Sequence, residues 1–315
     1  MMDTDALEPF LAEQRSSRNK LYSLLGRLPA RGRPISSETV HTEDQGSYKL
    51  EKLRLDLNGI EPVPAYLLLP KQPRHGREKS PLIVYHHSHG GFYQVGKEEL
   101  LAPAPYMQQP GYGEALTERG YAVLAIDSWV FGERSGRSES SVFKEMLWQG
   151  RSMLGMMLYD AIRAVDYAVT RPDIDASRIG TCGMSMGSTM AWWLGALDTR
   201  IKAVADICCL TDFHALLEDR GLDRHGLFYY VPDLLTHFTA SQINGLIAPR
   251  HHLSLAGNLD QLTPAAGLDR IDKEMRTVYG SIGSADAWKL LRYDVGHQET
   301  PEMRQEVLDF FDRVL

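Results

Sequence analysis

The spacing of apolar residues predicts a helix at each end of the chain. Leucine and phenylalanine recur every three or four positions over about the first thirty residues, as one face of an amphipathic helix requires. The segment PARGRP at 29–34 ends this pattern, because proline and glycine interrupt regular structure. The helical spacing returns at the other end of the chain, with Thr300 as N-cap and Pro301 in the first turn. We therefore predict a helical arm over residues 1–35 and a main domain over residues 36–315.

A hairpin is predicted immediately after the arm. Two β-type segments, YKLEKLRLDL and VPAYLLLP, flank Asn58-Gly59, and Asn-Gly between such segments is a strong hairpin signal. Pro62 and Pro64 place the start of the second strand at a sheet edge, since proline has no N–H to donate to a neighbouring strand.

The rest of the chain alternates short apolar segments with helical ones. Strands are predicted at PLIVYHH, YAVLAID, RIGTCGMS, KAVADICC, HLSLAG and WKLLRYDV. Helical stretches separate several of them, as the crossover connections of a parallel sheet require. Residues 211–245 interrupt this alternation and are rich in aromatic side chains. We predict an α/β domain in which residues 211–245 form a lid or cap insertion.

Composition and charge exclude two classes of partner. The 315 residues are 43% hydrophobic with a net charge of −7, whereas a nucleic-acid surface needs clustered lysine and arginine. No segment approaches the roughly 18 apolar residues of a membrane span, and the acidic N-terminal sequence contains no apolar signal-peptide core. Three cysteines form no disulfide framework and suit a reducing compartment. We predict a cytoplasmic protein that binds neither nucleic acid nor membrane.

The segment TCGMSMGST at 181–189 carries the strongest chemical signal. Ser185 lies between Gly183 and Gly187, after a predicted strand and before an amphipathic helix, which is the strand–turn–helix arrangement of a nucleophile elbow. Glycine suits both positions because the sharp turn brings strand and helix too close for side chains. At a helix N-terminus, backbone N–H groups stabilise developing negative charge. We predict that Ser185 is a nucleophile rather than part of an ordinary glycine turn.

A nucleophilic serine needs a base, and the base needs an acid that orients it. Both are expected after the serine, at the ends of later strands. Asp260 lies in the polar loop after HLSLAG, and His297 is the only histidine after the final predicted strand. Asp206 and Asp294 are rivals for the acid, but the first lies mid-strand and the second is expected to point along its strand. The predicted triad is therefore Ser185, Asp260 and His297.

The tetrahedral intermediate of acyl transfer needs two N–H donors. The first predicted donor is the backbone of Met186, directly after the nucleophile. The second is expected in the loop of IVYHHSHGGFY, where His89 is favoured and Ser88 and Gly90 remain alternatives.

Aromatic residues near these segments are candidates for the substrate pocket. We predict that Trp129, Phe131 and the aromatic stretch 228–230, Tyr229 in particular, line it, although ordinary core packing accounts equally well for such side chains. The predicted partner is a small-molecule ester, with no cofactor and no metal.

Two other chemistries have partial support. Residues 91–98, GFYQVGKE, differ at one position from a P-loop, but Glu98 replaces the hydroxyl residue and brings negative charge to the phosphate site. The histidine pairs at 86–87 and 251–252 could hold a metal, but adjacent strand residues point to opposite faces. Nucleotide hydrolysis and metal catalysis are therefore both disfavoured.

The chain resembles the α/β-hydrolases, and within them the dienelactone-hydrolase-like and acetyl-xylan-esterase-like branch. The resemblance covers about residues 48–312 and is carried by HGGFYQVGKEE, GYAVLAIDSWVFGER, the elbow segment and LIAPRHHLSLAGNLDQLTP. It implies an eight-stranded, mostly parallel sheet with helices on both faces, a Ser185–Asp260–His297 triad, and cofactor-free hydrolysis of carboxylic esters.

The sequence also departs from these relatives. Ser185 replaces the cysteine of dienelactone hydrolases, and Gly-Met-Ser-Met-Gly replaces the Gly-x-Ser-Gln-Gly of many acetyl xylan esterases, so neither substrate is carried over. The helical arm is expected to pack on the domain or on a second subunit, which would give a homo-oligomer. A non-catalytic binding protein of the same fold and a peptidase of the prolyl-oligopeptidase kind remain alternatives, although the chain has no room for the propeller of the latter.

Overall fold

One nine-stranded sheet organises the chain, in the order β1-β2-β3-β5-β4-β6-β7-β8-β9. The structure is a computed structural model and describes residues 4–315, so the first three residues of the predicted arm lie outside the described residues. The strands are β1 (Ser36–Asp44), β2 (Tyr48–Asp56), β3 (Val63–Pro70), β4 (Ser80–His86), β5 (Ala122–Ile126), β6 (Ile174–Met184), β7 (Ile201–Ile207), β8 (His251–Gly257) and β9 (Trp288–Tyr293). The helices are α1 (Thr4–Leu24), α2 (Tyr112–Thr117), α3 (Glu139–Trp148), α4 (Met153–Ala168), α5 (Met186–Leu197), α6 (Phe213–Glu218), α7 (Leu234–His237), α8 (Ala240–Gly245), α9 (Ala265–Ser281) and α10 (Pro301–Val314).

The sheet is antiparallel at one side and parallel across the rest. β1, β2, β3 and β5 pair antiparallel, whereas β5, β4, β6, β7, β8 and β9 run parallel. The resemblance implied eight strands, and the additional one is β1. Its sequence SSETVHTED is exposed along almost its whole length and lacks apolar alternation, so hydrophobic patterning gives no signal for it.

The predicted hairpin is present, and only the start of its second strand lies at an edge of the sheet. β2 and β3 pair antiparallel around Asn58-Gly59, and β3 then pairs with β5 on its other side. The ladder between β3 and β5 begins at Ala65, so the missing N–H of Pro64 falls just outside it. The prediction that the prolines place the start of this strand at a sheet edge is therefore confirmed, since β3 is paired on both sides only from Ala65 onward.

Helices cover both faces of the sheet because the strand side chains alternate. Leu82 and Val84 of β4 belong to one apolar core, whereas Ile83 and Tyr85 belong to the other. Residues of α4, α5 and α9 fill the first core, and residues of α2 and α10 fill the second. Within residues 4–315, no helix is both long and apolar enough to cross a bilayer.

The arm packs against the domain of its own chain. The Gln14 amide donates to the carbonyl oxygens of Gly245 (2.8 Å) and Ala248 (2.9 Å). Arg18 donates to the Ala196 carbonyl at 2.7 Å. Buried leucines at the end of the arm complete the contact, so the apolar stripe read from the sequence faces the domain.

A buried ion pair ties the segment after β4 to the segment after β5. Lys97 Nζ lies 2.9 Å from Asp127 Oδ2 and 2.7 Å from Glu133 Oε1, and the Lys97 N–H donates to Asp127 Oδ1 at 2.8 Å. Lys97 and Asp127 are almost inaccessible to solvent. The lysine of the P-loop-like pattern is therefore bonded to the aspartate that ends the apolar strand AVLAID, and both have a structural role.

Removal of the lysine tests this role. We expect Lys97→Ala to lower the free energy of unfolding by about 3–5 kcal/mol, because the Asp127 carboxylate would stay buried without a cation to balance its charge. Urea denaturation measures the change. Lys71→Ala is the matched control, since the Lys71–Asp44 pair is largely exposed and such pairs contribute little. Equal losses in the two variants would contradict a special role for the buried pair.

Candidate active site

Ser185 occupies a strained turn between β6 and α5. Its backbone angles are φ 60° and ψ −120°, a region that residues with side chains rarely adopt. Neighbouring elements hold it there: the Ser185 N–H donates to the Ile207 carbonyl of β7 at 2.9 Å, and the Ser185 carbonyl accepts from Thr189 at 3.1 Å. The turn therefore presents the serine side chain at the N-terminus of α5.

The two flanking glycines are required by the end of β4. A Cβ at Gly183 or at Gly187 would lie under 3.0 Å from the carbonyl oxygen of His86, closer than real Cβ atoms approach. The obstructing atom is backbone in the centre of the sheet, where β4 pairs with β6, so it cannot move aside. Close packing of strand, turn and helix thus explains the Gly-x-Ser-x-Gly pattern in this chain.

His297 and Asp260 meet across the loops that follow β9 and β8. His297 Nδ1 lies 2.7 Å from Asp260 Oδ2, and the other carboxylate oxygen accepts from the Leu262 N–H at 2.9 Å. The Asp260 side chain is 1% exposed and that of His297 is 24% exposed. We assign the proton to Nδ1 from this bond, which leaves Nε2 with a free lone pair and able to act as a base.

The rival aspartates have other partners. Asp206 is fully buried and lies 2.6 Å from His252 Nε2 and 2.7 Å from Ser254 Oγ. Asp294 accepts from the amide of Asn258 at 2.6 Å. Of the three candidate acids, Asp260 is therefore the one bonded to His297.

A buried carboxylate fixes the loop that carries His297. Glu299 accepts from the Gln108 N–H at 2.9 Å, from the Tyr112 hydroxyl at 2.6 Å and from Arg304 at 2.7 Å. Because these bonds reach Gln108, α10 and the first residue of α2, they limit the freedom of the histidine two residues earlier.

Ser185 and His297 share one cavity of about 360 Å³. Met186 and His89 also line it, so the cavity brings together four of the five residues predicted for catalysis, with Asp260 directly behind His297. Cys209 contributes to the wall as well, but burial raises the pKa of its thiol to about 12. It therefore remains protonated near neutral pH and is a poor nucleophile.

Hydrogen bonds within the glycine loop, residues 87–92, show which backbone N–H groups are still free to act as the second oxyanion donor. The N–H of Ser88 donates to Glu99 Oε1 at 2.9 Å, that of Gly91 to the His89 ring at 3.1 Å, and that of Phe92 to the His89 carbonyl at 2.9 Å. Among the hydrogen bonds of residues 4–315, none uses the N–H of His89 or of Gly90. Ser88 is thereby removed from the alternatives, and His89 and Gly90 remain.

Comparison with known proteins gives the family. The acetyl xylan esterase (AXE1) family matches residues 37–221, more than half of the chain. The chain is also 50% identical over 298 residues to "Putative hydrolase YtaP" of Bacillus subtilis (strain 168), which covers 95% of this chain and 98% of that protein. The chain belongs to the acetyl xylan esterase family. It is thus a carboxylic ester hydrolase, and the resemblance to acetyl-xylan-esterase-like proteins is confirmed.

Solved structures share the fold. A "putative acetyl xylan esterase (BF1801)" from Bacteroides fragilis NCTC 9343 matches with a TM-score of 0.70 at 21% identity, covering 89% of this chain and 74% of that chain. The glucuronoyl esterase from Solibacter usitatus matches with a TM-score of 0.69 at 16% identity, covering 94% of this chain and 91% of that chain. The mostly parallel sheet is accordingly that of the α/β-hydrolases.

In this esterase two of the three predicted pocket aromatics, Phe131 and Tyr229, pack behind residues that line the cavity. Phe131 packs its ring against those of His87 and His89, at 5.0 Å each. Tyr229 stacks on His225 at 4.5 Å, and Trp129 lies under the Arg134 guanidinium at 4.4 Å. None of the three is among the residues that line the cavity, which corrects the sequence interpretation. All three are buried, and Phe131 and Tyr229 support the wall from behind.

The covering segment, residues 222–230 within the predicted insertion, forms one wall of the cavity. Hydrogen bonds attach it to α3 and to the loop after β8. The Phe228 N–H donates to Glu139 Oε1 at 3.0 Å, and His225 Nε2 lies 3.0 Å from the Leu262 carbonyl oxygen. Phe228 lines the cavity where its neighbour Tyr229 does not. The aromatic stretch was the signal for this wall, but it could not tell which of the adjacent rings faces inward.

Tyr106 lines the cavity beside His297, although no pattern in the sequence indicated it. Its loop, LAPAPYMQQP, matches no catalytic motif. The histidine pair at 86–87 is bonded within the protein: His86 bonds Thr181, and His87 bonds the Ser88 carbonyl and the Ser128 N–H. In the described part of the chain, no three His, Cys, Asp or Glu side chains lie close enough to hold a metal ion.

A methyl group at the elbow tests the packing constraint. We expect Gly187→Ala to destabilise the protein by at least about 2 kcal/mol, because the added Cβ would overlap the His86 carbonyl. Esterase activity should fall with it. Gly245→Ala, in α8, is the control. Its added Cβ would meet only the Val278 side chain, at 3.9 Å or more, and alanine is a better helix former than glycine. Thermal melting compares the two; unchanged stability of Gly187→Ala would contradict the constraint.

Proposed function

We propose that the protein hydrolyses small carboxylic esters through an acyl-enzyme on Ser185, with His297 as general base and acid and Asp260 as its orienting acid. The observation that carries the proposal is the strained serine sharing a cavity with a histidine whose other ring nitrogen is bonded to a buried carboxylate. Membership of an esterase family supports the same reaction class.

Acylation follows from the positions of these groups. Ser185 Oγ attacks the ester carbonyl carbon while His297 Nε2 takes the hydroxyl proton. Asp260 keeps the proton on Nδ1 and stabilises the imidazolium that forms. The backbone N–H groups of Met186 and His89 bind the oxyanion; that of Met186 has no partner within its helix because it is the first residue of α5. His297 then returns its proton to the leaving alcohol, and water releases the acyl group.

The cavity supports a small and polar substrate. Its volume of about 360 Å³ is at the lower end for ligand pockets, and its lining includes His89, Tyr106, Asp223, Arg224 and His225. A long alkyl chain would leave these polar groups without hydrogen-bond partners. We therefore propose a short acyl group on a polar alcohol as the substrate type. The names of the family and of its structural neighbours concern sugar esters, which fit this description.

Loss of the nucleophile is the first test. Ser185→Ala should lower kcat for p-nitrophenyl acetate by at least about 10⁴-fold, since the remaining groups cannot form an acyl-enzyme. A fluorophosphonate probe should label the wild-type peptide that contains Ser185 and leave the variant unlabelled. Ser188→Ala, one turn further along α5 and outside the cavity, should keep both label and turnover. Normal turnover by Ser185→Ala would contradict the proposal, and a folded wild type without label or turnover would favour a binding protein.

The identity of the acid is tested by a pair of amide substitutions. Asp260→Asn should lower kcat by about 10³–10⁴-fold, because an amide does not hold the His297 ring in the required tautomer. Asp294→Asn should change kcat little, since its carboxylate bonds Asn258 instead. Steady-state kinetics on p-nitrophenyl acetate compare the two variants. A larger loss in Asp294→Asn would transfer the role to that residue.

A further inference from the structure

Tyr106 stands between the glycine loop and the loop of His297. Its ring centroid lies 6.0 Å from that of His297, and its carbonyl accepts from the Glu299 N–H at 2.8 Å. On the other side, a Cβ placed on Gly90 would lie 2.6 Å from the Tyr106 hydroxyl. The residue also lines the cavity that contains Ser185. The Tyr106 ring thus lies beside His297 at the wall of the cavity, with its hydroxyl next to the glycine loop.

Buried neighbours decide the direction of its hydrogen bond. Glu99 accepts from the Ser88 hydroxyl, from the Ser88 N–H at 2.9 Å and from the Tyr85 hydroxyl at 2.7 Å. An ionised carboxylate has no hydrogen to give, so Ser88 donates its only hydroxyl hydrogen to Glu99. The Ser88 oxygen then lies 2.7 Å from the Tyr106 oxygen and can only accept. Tyr106 is therefore the donor in this bond.

The phenol oxygen is left as an acceptor. Burial raises the pKa of Tyr106 to about 12, so the phenol keeps its hydrogen near neutral pH and gives it to Ser88. Its lone pairs remain free to accept a hydrogen from a molecule in the cavity. In the part of the chain that the structure describes, no side chain or N–H donates to this oxygen from the cavity.

We propose that the Tyr106 oxygen orients the water that hydrolyses the acyl-enzyme, an inference that rests on the proposed function of Ser185. The water oxygen forms a bond to the acyl carbon, and the bond from that carbon to Ser185 Oγ breaks. One water proton goes to His297 Nε2 and from there to Ser185 Oγ. The second hydrogen stays on the water oxygen throughout and donates to Tyr106, which restricts the rotation of the attacking molecule.

This role should affect attack on the acyl-enzyme by water and by an alcohol differently. Water has two hydrogens, one for His297 and one for Tyr106, whereas methanol has a single hydrogen, which must go to His297. Loss of the acceptor should therefore slow attack by water more than attack by methanol. A substitution that merely loosened the site would slow both.

The experiment uses Tyr106→Phe with p-nitrophenyl acetate in buffer containing methanol. Hydrolysis of the acyl-enzyme should slow roughly three- to tenfold, the usual range for one lost hydrogen bond, and the ratio of methyl acetate to acetate should rise by the same factor. In buffer without methanol, kcat and KM should fall together while kcat/KM stays nearly constant, because acylation does not use Tyr106.

Tyr85→Phe is the matched control. The Tyr85 hydroxyl donates to Glu99, the carboxylate that also holds Ser88, but Tyr85 is buried and does not line the cavity. Its loss should therefore leave the product ratio unchanged. If Tyr106→Phe does not fold, Ser88→Ala serves instead, since it removes the acceptor that orients the phenol and should raise the ratio. An unchanged ratio in a folded Tyr106→Phe would overturn the proposal for Tyr106 alone. A wild type that gives neither methyl acetate nor a burst of p-nitrophenol would overturn the acyl-enzyme, and Tyr106 with it.

Discussion

The site depends on one constraint: the carbonyl group of His86, at the end of β4, lies very close to the turn that carries Ser185. The His86 carbonyl leaves no space for a Cβ at Gly183 or Gly187, and Ser185 between them adopts a backbone conformation that only its neighbours can maintain. The strain is stabilised by the parallel pairing of β4, β6 and β7 in the centre of the sheet. Because the glycines allow this contact, the N-terminus of α5 lies within the same cavity as the loops that follow the other strands.

Buried carboxylates perform a second function, which is to fix the irregular segments around that cavity. Asp127 holds Lys97, Glu299 holds the loop after His297, and Glu139 holds the covering segment through Phe228. Each carboxylate accepts several hydrogen bonds from segments distant in the sequence, so that charge is compensated where water is excluded. Such networks specify one arrangement of loops more than they add net stability. The catalytic groups proposed here are thus carried by loops whose positions are determined by ionic contacts and not by apolar packing alone.

Family and fold together limit the chemistry. Membership of the acetyl xylan esterase family assigns the reaction class, and the α/β-hydrolase sheet places the ends of β4, β6, β8 and β9 at one edge. Substrate choice depends instead on the cavity wall, where Tyr106, Phe228 and polar side chains of the covering segment stand in place of the predicted Trp129, Phe131 and Tyr229. The fold is shared with esterases of different names, and it is in these walls that members of the family can differ.

The sequence by itself determined whatever depends on local spacing. The helical arm, the hairpin at Asn58-Gly59, the alternation of strands and helices, and the elbow around Ser185 all have periodic or turn signals that act over a few residues. The prediction that Asp260 and His297 follow late strands needed only the chain order of such hydrolases, and the structure brings the two side chains into contact. Tertiary structure alone decided the pairing of β1, whose polar sequence has no apolar period, and the inward orientation of Phe228 rather than Tyr229. It also decided the partner of Lys97, which lies 30 residues away, and the place of Tyr106 beside His297. These contacts depend on which loops the strand order brings to one edge of the sheet, and no pattern within a single segment encodes that order.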